Sequence, residues 1–140
     1  MRTAILLLVP MLHAAAAGHA HHSLTEYDTT RRAAMDVIVR EFHFVNPHPY
    51  LVVEPAGAAE AQQVWRLELD NRRELVRLGM GPDTFARGDR LVVAGAPGRD
   101  QQRILYVRAL DRPGDGLRYE QVGSTPRMTS PPRRRDSQPD

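Results

Sequence analysis

The sequence predicts an all-β fold with one short helix: a small five-stranded, OB-like Greek-key barrel in the order β-β-β-α-β-β. Five segments are rich in β-branched and aromatic residues, and one short helical segment falls between the third and the fourth. This is the order of an OB barrel, in which the helix plugs a gap between strands. A short strand-rich sandwich is the alternative. With 140 residues, the chain has room for one domain with a modest core.

A proline-rich turn separates the first two predicted strands. Met35–Val45 contains no Gly or Pro and predicts a long strand, and Tyr50–Glu54 predicts a second one. Residues 46–49 between them read Asn-Pro-His-Pro. The two prolines lack a backbone donor and Asn favours turns, so the pattern places His48 in a rigid turn.

The third predicted strand is Val64–Asp70, in which apolar and charged residues alternate. Its apolar odd-numbered residues, beginning with Trp65, share one face, and Arg66 and Glu68 lie on the other. Residues 71–79 then predict a short helix. Asn71 followed by Glu74 resembles a capping box, and Gly79 suits the C-terminal cap.

Arg90–Gly95 and Arg103–Leu110 are the last two predicted strands. Beyond Arg112 the chain is rich in Gly, Pro, Ser and Arg and has few apolar residues to offset the entropy of ordering. We therefore expect a barrel domain with an N-terminal arm over residues 21–112 and a disordered Pro/Arg-rich tail over residues 113–140.

Residues 1–20 are typical of a signal peptide. They begin with one Arg, continue with an apolar stretch from residue 4 to 17 and end in small residues. The stretch is short for a membrane span, which needs about 20 apolar residues; a short buried or uncleaved anchor helix is the alternative. Cleavage after Ala20 would make His21 the first residue, and Ala17 is the competing site. We expect a periplasmic or secreted protein with no membrane segment after cleavage.

The charge distribution argues against a nucleic-acid partner. All nineteen basic side chains are Arg and none is Lys, and residues 21–125 hold 14 Arg against 15 Asp and Glu. Such a body lacks the basic field that phosphate binding requires. The chain also contains no Cys, so any metal site must use His, carboxylate or backbone groups.

Several short motifs stand out: His-His-Ser at residues 21–23, Asn-Pro-His at 46–48, and Gly-Asp at 88–89 before a strand that ends at Gly95. In these motifs the chain resembles a family of small exported bacterial proteins described as a domain of unknown function. The resemblance spans residues 21–110. Residues 80–85 depart from it, since a Trp-containing turn is more usual there. The resemblance implies no activity.

The histidines suggest a copper site. If His21 is the first residue, its α-amine and its ring Nδ1 can chelate one metal ion, and an imidazole from elsewhere would complete a three-nitrogen site. Such a histidine brace suits Cu(II). We expect His48 to be the third ligand and His22 to be the nearer alternative. The competing interpretation is that these histidines are solvated and bind no metal.

Other residues near the chain start have simpler expected roles. Glu26 and Asp28 could supply a weak axial oxygen but are more typical of solvated acids. Tyr27 is expected to anchor the arm on the barrel. His43, on a strand, is expected to be a packed or edge residue.

No enzyme motif is present: the sequence has no Gly-x-Ser-x-Gly, no Gly-rich phosphate loop and no Cys nucleophile. We therefore expect a binding protein and not an enzyme. The alternative to copper binding is a metal-free OB-type module that recognises a periplasmic protein or a saccharide. In that case Tyr50 and Arg66 would be the important surface residues.

Overall fold

The computed structural model describes residues 24–57, 63–100 and 102–129. These residues form seven strands, one α-helix and a short 3-10 helix at Leu24–Glu26. In chain order the remaining elements are β1 (Ala33–His43), β2 (Tyr50–Pro55), β3 (Trp65–Glu68), α1 (Arg72–Arg77), β4 (Arg90–Pro97), β5 (Ile104–Arg112), β6 (Leu117–Val122) and β7 (Thr125–Thr129).

Five of the strands close into a barrel. Strands β3, β2, β1, β4 and β5 are neighbours in that order, and β3 also pairs with β5. The β3–β5 pairing is parallel and the other four are antiparallel. With α1 between β3 and β4, this is the predicted β-β-β-α-β-β barrel, and the prediction of a small OB-like barrel is confirmed.

The barrel is filled by aliphatic side chains from alternate strand positions. Leu51, Leu67, Leu91 and Leu105, each from a different strand, are completely buried in one cluster. Leu75 of α1 belongs to the same cluster, so the helix contributes to the core that the strands enclose.

The helix has the predicted N-cap residue and C-terminal glycine, but the N–H of Asn71 donates to Asp70 Oδ1 at 2.7 Å and not to Glu74 of the predicted capping box. The side-chain oxygen of Asn71 accepts a hydrogen bond of 2.8 Å from the backbone N–H of Arg73 and satisfies one of the free donors of the first turn. Gly79 has a φ of +88°, the left-handed conformation that follows many helix ends. The prolines on either side of His48 also form the predicted turn, in which the Asn46–Pro47 peptide is cis.

The boundaries of the strands differ from the predictions by about two residues. Strand β1 is Ala33–His43, so it begins and ends two residues earlier than predicted, and β3 is shorter, at Trp65–Glu68. Strand β5 continues to Arg112. These are the positions at which local sequence carries the weakest signal.

The prediction of a disordered tail over residues 113–140 is wrong for residues 113–129. This segment forms the hairpin β6–β7, which extends the sheet from β5. Leu117 and Tyr119 are buried and alternate with exposed or half-buried polar residues, the pattern of a half-buried strand. The Gly residues lie in turns, including one at Gly123 with a φ of +60°, whereas Pro126 lies within β7. Residues 130–140 lie outside the described residues.

Arg112 links the start of this hairpin to the connection between α1 and β4. Its guanidinium donates to Asp89 Oδ2 at 2.7 Å and to the carbonyl oxygen of Thr84 at 2.6 Å. It also donates to both carboxylate oxygens of Asp115, at 2.9 and 2.8 Å. Such a bidentate pair holds the chain in one orientation as it leaves β5.

The predicted signal peptide, residues 1–20, lies outside the described residues. Within the described parts of the chain, no helix is long and apolar enough to cross a membrane.

The pairing of β4 with β5 shifts its register between Ala94 and Gly95, and only glycine fits at position 95. A Cβ atom at this position would overlap the backbone carbonyl of Tyr106 on the neighbouring strand. We expect Gly95→Ala to lower the free energy of unfolding by about 2–4 kcal/mol, because backbone atoms cannot yield as a flexible side chain can.

Urea unfolding of the two variants Gly95→Ala and Gly114→Ala would check this. Gly114 lies in an open turn with nothing within 4 Å of an added Cβ, and its substitution should cost far less. Equal stabilities of the two variants would contradict the interpretation.

Candidate functional site

A polar groove lies outside the barrel, where six segments of the chain meet. Its volume is about 590 Å³, within the range of small-ligand sites. Strands β3 and β5 form its floor, and the N-terminal arm, the β1–β2 turn, α1 and the β6–β7 turn form its walls. The lining residues are Leu24, Glu26, Tyr27, His48, Glu68, Asp70, Glu74, Tyr106, Arg108, Gln121, Gly123 and Ser124. We call this feature the acidic groove.

The acidic groove carries an excess of negative charge. Four of its lining residues are carboxylic acids, Glu26, Glu68, Asp70 and Glu74, and one is a permanent cation, Arg108. A concave surface lined with charges of one sign concentrates ions of the opposite sign. The groove therefore favours a cation over an anion.

Glu68 is the most buried acid of the groove, with 8% of its surface exposed. Tyr27 donates a hydrogen bond of 2.9 Å to Glu68 Oε2, and Arg66 Nη2 lies 3.9 Å from the same oxygen. The sequence placed Glu68 on the solvent face of the third strand. The face is correct, but the N-terminal arm covers it. A hydrogen bond and a nearby cation are what make a buried carboxylate tolerable.

His48 is the predicted site residue that the structure places in this groove. Its Nδ1 lies 3.2 Å from the carbonyl oxygen of Leu69 and 4.0 Å from Glu68 Oε1. A carbonyl oxygen can only accept, so Nδ1 carries the proton of this hydrogen bond, and in the neutral ring the lone pair is on Nε2. This is the tautomer of a histidine that binds a metal through Nε2.

Backbone hydrogen bonds hold the β1–β2 turn that carries His48. The N–H of Leu69 donates to the carbonyl of Pro49, and the N–H of Arg72 donates to that of Pro47, both at 2.9 Å. The turn is thus tied on both sides of His48 to the segment between β3 and α1.

The N-terminal arm is fixed to the β4–β5 connection. Tyr27 forms a β-bridge with Gly98, and the N–H of Asp28 donates to the carbonyl of Pro97 at 2.8 Å. Arg99 donates from its backbone N–H to the carbonyl of Glu26 at 2.8 Å and from Nε to that of Thr25 at 2.9 Å. These bonds place the first described residue, Leu24, at the groove.

Tyr27 is the anchor that the sequence predicted. It is 4% exposed and forms a small apolar cluster with Ala96 and Tyr106, separate from the barrel core. Its ring centroid lies 5.6 Å from that of Tyr106. The arm is therefore packed against the outer surface of the barrel by this side chain.

Only some of the remaining predicted ligands belong to the described residues. His21 and His22 lie outside the described residues, so the structure does not place the two histidines at the chain start. Glu26 lines the groove. Asp28 does not; its Oδ1 accepts hydrogen bonds from the backbone and the hydroxyl of Thr30.

The described residues alone do not form a metal site. Among residues 24–57, 63–100 and 102–129, no three His, Asp or Glu side chains are arranged to hold a metal ion. Within the groove, His48 could supply a nitrogen ligand and Glu26 or Glu68 an oxygen ligand. A complete site would need further ligands from outside the described residues.

The sequence analysis did not predict the polar residues of β6 that bond to the groove acid Asp70. Gln121 Nε2 donates to Asp70 Oδ2 at 2.9 Å, and the Tyr119 hydroxyl donates to Gln121 Oε1 at 2.9 Å. Both Gln121 and Tyr119 belong to the hairpin that was predicted to be disordered. Alternation of Leu117 and Tyr119 with polar residues was the one signal that could have revealed it.

The surface proposed for the metal-free alternative is a stack of three side chains. The Tyr50 ring lies 4.5 Å from the His43 ring, with 14° between their planes, and 4.4 Å from the guanidinium of Arg66. His43 is thus the packed strand residue that was predicted. The three residues lie on adjacent strands with Tyr50 in the middle, so its ring is already in contact with two neighbours.

Burial raises the pKa of three tyrosines around the groove. It raises the pKa of Tyr106 to about 12, with a further contribution from the negative charge of Asp70. Burial, followed by the charge of Glu68, raises the pKa of Tyr27, and burial followed by Asp70 raises that of Tyr119. These phenols remain protonated in the folded protein.

Comparison with known proteins gives a family but no function. The sequence model of a family described as a family of unknown function (DUF6152) matches residues 9–105. Searches of curated proteins and of solved structures found no match.

The tyrosines should make the protein unstable in alkali. A phenol whose pKa is raised in the folded state binds its proton more tightly there than in the unfolded chain. Its stabilising contribution is complete below the unfolded pKa of about 10 and is lost as the pH rises towards about 12. Because the chain has no Lys and no Cys, Tyr side chains dominate titration in this range.

Urea unfolding at a series of pH values would measure this loss in the wild type and in Tyr27→Phe. The variant should be less stable at neutral pH by about 1–3 kcal/mol, because Glu68 loses its hydroxyl donor. Above about pH 10 its stability should fall less steeply than that of the wild type. Parallel pH profiles would show that Tyr27 does not contribute to the alkaline loss.

Proposed function

The chain belongs to the family of unknown function DUF6152, and we propose from its own residues that it is an exported protein that binds copper. The α-amine and ring of His21 would hold one Cu(II) ion, with His48 as the third nitrogen ligand and His22 in reserve. Export and cleavage after Ala20, which would make His21 the first residue, are part of this proposal and rest on the pattern of residues 1–20.

The position of Leu24 is the observation that carries the proposal. Leu24 and His48 line the same groove, although they are far apart in sequence. His21 precedes Leu24 by three residues, and an extended chain spans at most about 3.6 Å per residue. Three residues thus span at most about 11 Å, a distance over which His21 could reach the groove from Leu24.

The groove also suits the charge and the ligand preference of Cu(II). Its four carboxylates favour a cation, and Glu26 or Glu68 could provide an oxygen beside the nitrogen ligands. The chain has no Cys and no Met lines the groove, so the soft sulfur ligands that select Cu(I) are missing there. Nitrogen and oxygen ligands favour Cu(II).

Intact mass spectrometry of the exported protein is the first test. Under denaturing conditions the mass should correspond to a chain that begins at His21. Under native conditions, after exposure to Cu(II) and a weak competing chelator, one copper ion should be retained. Electron paramagnetic resonance of the same sample should show nitrogen hyperfine coupling. A chain that begins at Gly18, or a His21 start that retains no copper, would overturn the proposal.

Replacement of His48 tests the third ligand. We expect His48→Ala to weaken Cu(II) binding at least about tenfold. His43→Ala is the matched control, because His43 also lies on the barrel but stacks on Tyr50 away from the groove, and it should keep the wild-type affinity. Thermal unfolding would verify that both variants are folded. Equal affinities of the two variants would exclude His48 as a ligand.

The absence of Lys gives an independent test of the amine ligand. In a chain without Lys, the α-amine is the only primary amine. Bound Cu(II) should protect it from an amine-acylating reagent, and removal of copper with a chelator should restore labelling. Labelling at the same rate with and without copper would show that the amine is not a ligand.

A further inference from the structure

Trp65, the chain's only tryptophan, lies at a junction of two further grooves. One groove, of about 530 Å³, runs beside the first residues of β1 and the end of β2. The other, of about 580 Å³, runs along the β4–β5 connection. Because Trp65 lines both, its indole is shared by one extended surface, which we call the Trp65 groove. It is distinct from the acidic groove, to which Trp65 does not belong.

The indole of Trp65 is available for contact with a ligand. The side chain is half-buried at the start of β3, where it packs against the edge of the barrel core. Within the described residues it makes no ring stacking, cation contact or hydrogen bond, in contrast to Tyr50. A partly exposed indole offers a flat apolar face and an N–H donor at once.

The charged residues of the Trp65 groove are balanced in sign. They are Asp28, Asp36, Asp100, Arg31, Arg90 and Arg99. The three acids and three arginines give the groove no net charge, so it favours neither a polyanion nor a polycation. Carboxylates and guanidinium groups are, however, planar groups that can hydrogen-bond to two adjacent hydroxyls.

Some of these polar groups are not used by the protein itself. Within the described parts of the chain, the side chains of Asp36 and Arg90 make no hydrogen bond or ion pair. At the first residues of β1 the strand pairs with β4, and its pairing with β2 begins only at Val37. The side chains of Asp36 and Arg90 are therefore polar groups that a ligand could use at this end of the barrel.

From the partly exposed indole, the balanced charges and the unused polar groups of Asp36 and Arg90, we propose that the Trp65 groove binds a neutral oligosaccharide. A sugar ring would stack on Trp65, and its hydroxyls would hydrogen-bond to Asp36 and Arg90 on one side and to residues of the β4–β5 connection on the other. That connection is one of the two loops that frame the ligand surface of saccharide-binding OB barrels. This site needs no metal and does not involve His48.

Fluorescence excited at the red edge, where the four tyrosines absorb little, provides the test, since the emission then reports on Trp65. The copper-free protein would be titrated with neutral hexasaccharides of glucose, in α and in β linkage, and of N-acetylglucosamine. A single-stranded oligonucleotide and a proline-rich peptide would be titrated in parallel. We expect a saturable change in emission with at least one saccharide and none with the other two probes. No change with any saccharide, or a change with the peptide or oligonucleotide alone, would overturn the proposal.

Calorimetry with the saccharide that binds would then compare variants. Trp65→Leu keeps an apolar side chain at the barrel end but removes the ring, and Asp36→Asn changes only a solvent-facing carboxylate. Each should weaken binding by roughly tenfold or more. Asp83→Asn, in an exposed turn outside the groove, is the matched control and should bind as the wild type does. Wild-type binding by both Trp65→Leu and Asp36→Asn would place the saccharide elsewhere.

Discussion

The parallel pairing of β3 with β5 is the contact on which both grooves depend. It involves three residue pairs, Arg66 with Ile104, Leu67 with Leu105 and Glu68 with Tyr106, and it closes the barrel. Trp65 precedes the paired residues of β3 and Glu68 is the last of them, so the Trp65 groove and the acidic groove lie at opposite ends of one short seam. Parallel strands require a long crossover connection, and here α1 and β4 provide it. The floor of the acidic groove is therefore formed only when β3 and β5, which are separated in sequence by α1 and β4, have come together.

The N-terminal arm is a wall beside β3, and it turns the outer face of that strand into the floor of a groove. Without it, Glu68 would face solvent on the outer side of β3, as its position in the alternating sequence suggests. With Tyr27 packed on Tyr106, the Glu68 carboxylate is covered and receives the phenolic hydrogen bond in place of water. The arm therefore belongs to the folded domain, although it precedes the barrel in sequence. Its backbone bonds to the β4–β5 connection keep Leu24, the first described residue, in the same groove as His48.

Local patterns predicted the barrel because each strand and the helix carry their own signals. Alternation in Val64–Asp70, the Asn71 cap and the prolines around His48 specify structure over a few residues each. Glu68 shows what such patterns miss, since its burial depends on Tyr27, 41 positions earlier. The hairpin β6–β7 is a second feature that the local patterns did not predict. Gly and Pro are common both in disordered tails and in tight turns, so composition did not distinguish the two, and the short alternation of Leu117 and Tyr119 with polar residues was the only local signal of a strand. The metal ligands His21 and His22 remain predictions, because they lie outside the described residues.

The β4–β5 connection has a further consequence, because it touches both grooves through the arm. Glu26 and Tyr27 line the acidic groove, whereas the adjacent Asp28 lines the Trp65 groove with Pro97 and Gly98. The arm is bonded to that connection at Pro97, Gly98 and Arg99. A ligand that displaced the arm in one groove would therefore also alter a wall of the other. Any coupling of two ligands that resulted would be reciprocal, each changing the affinity of the other by the same factor.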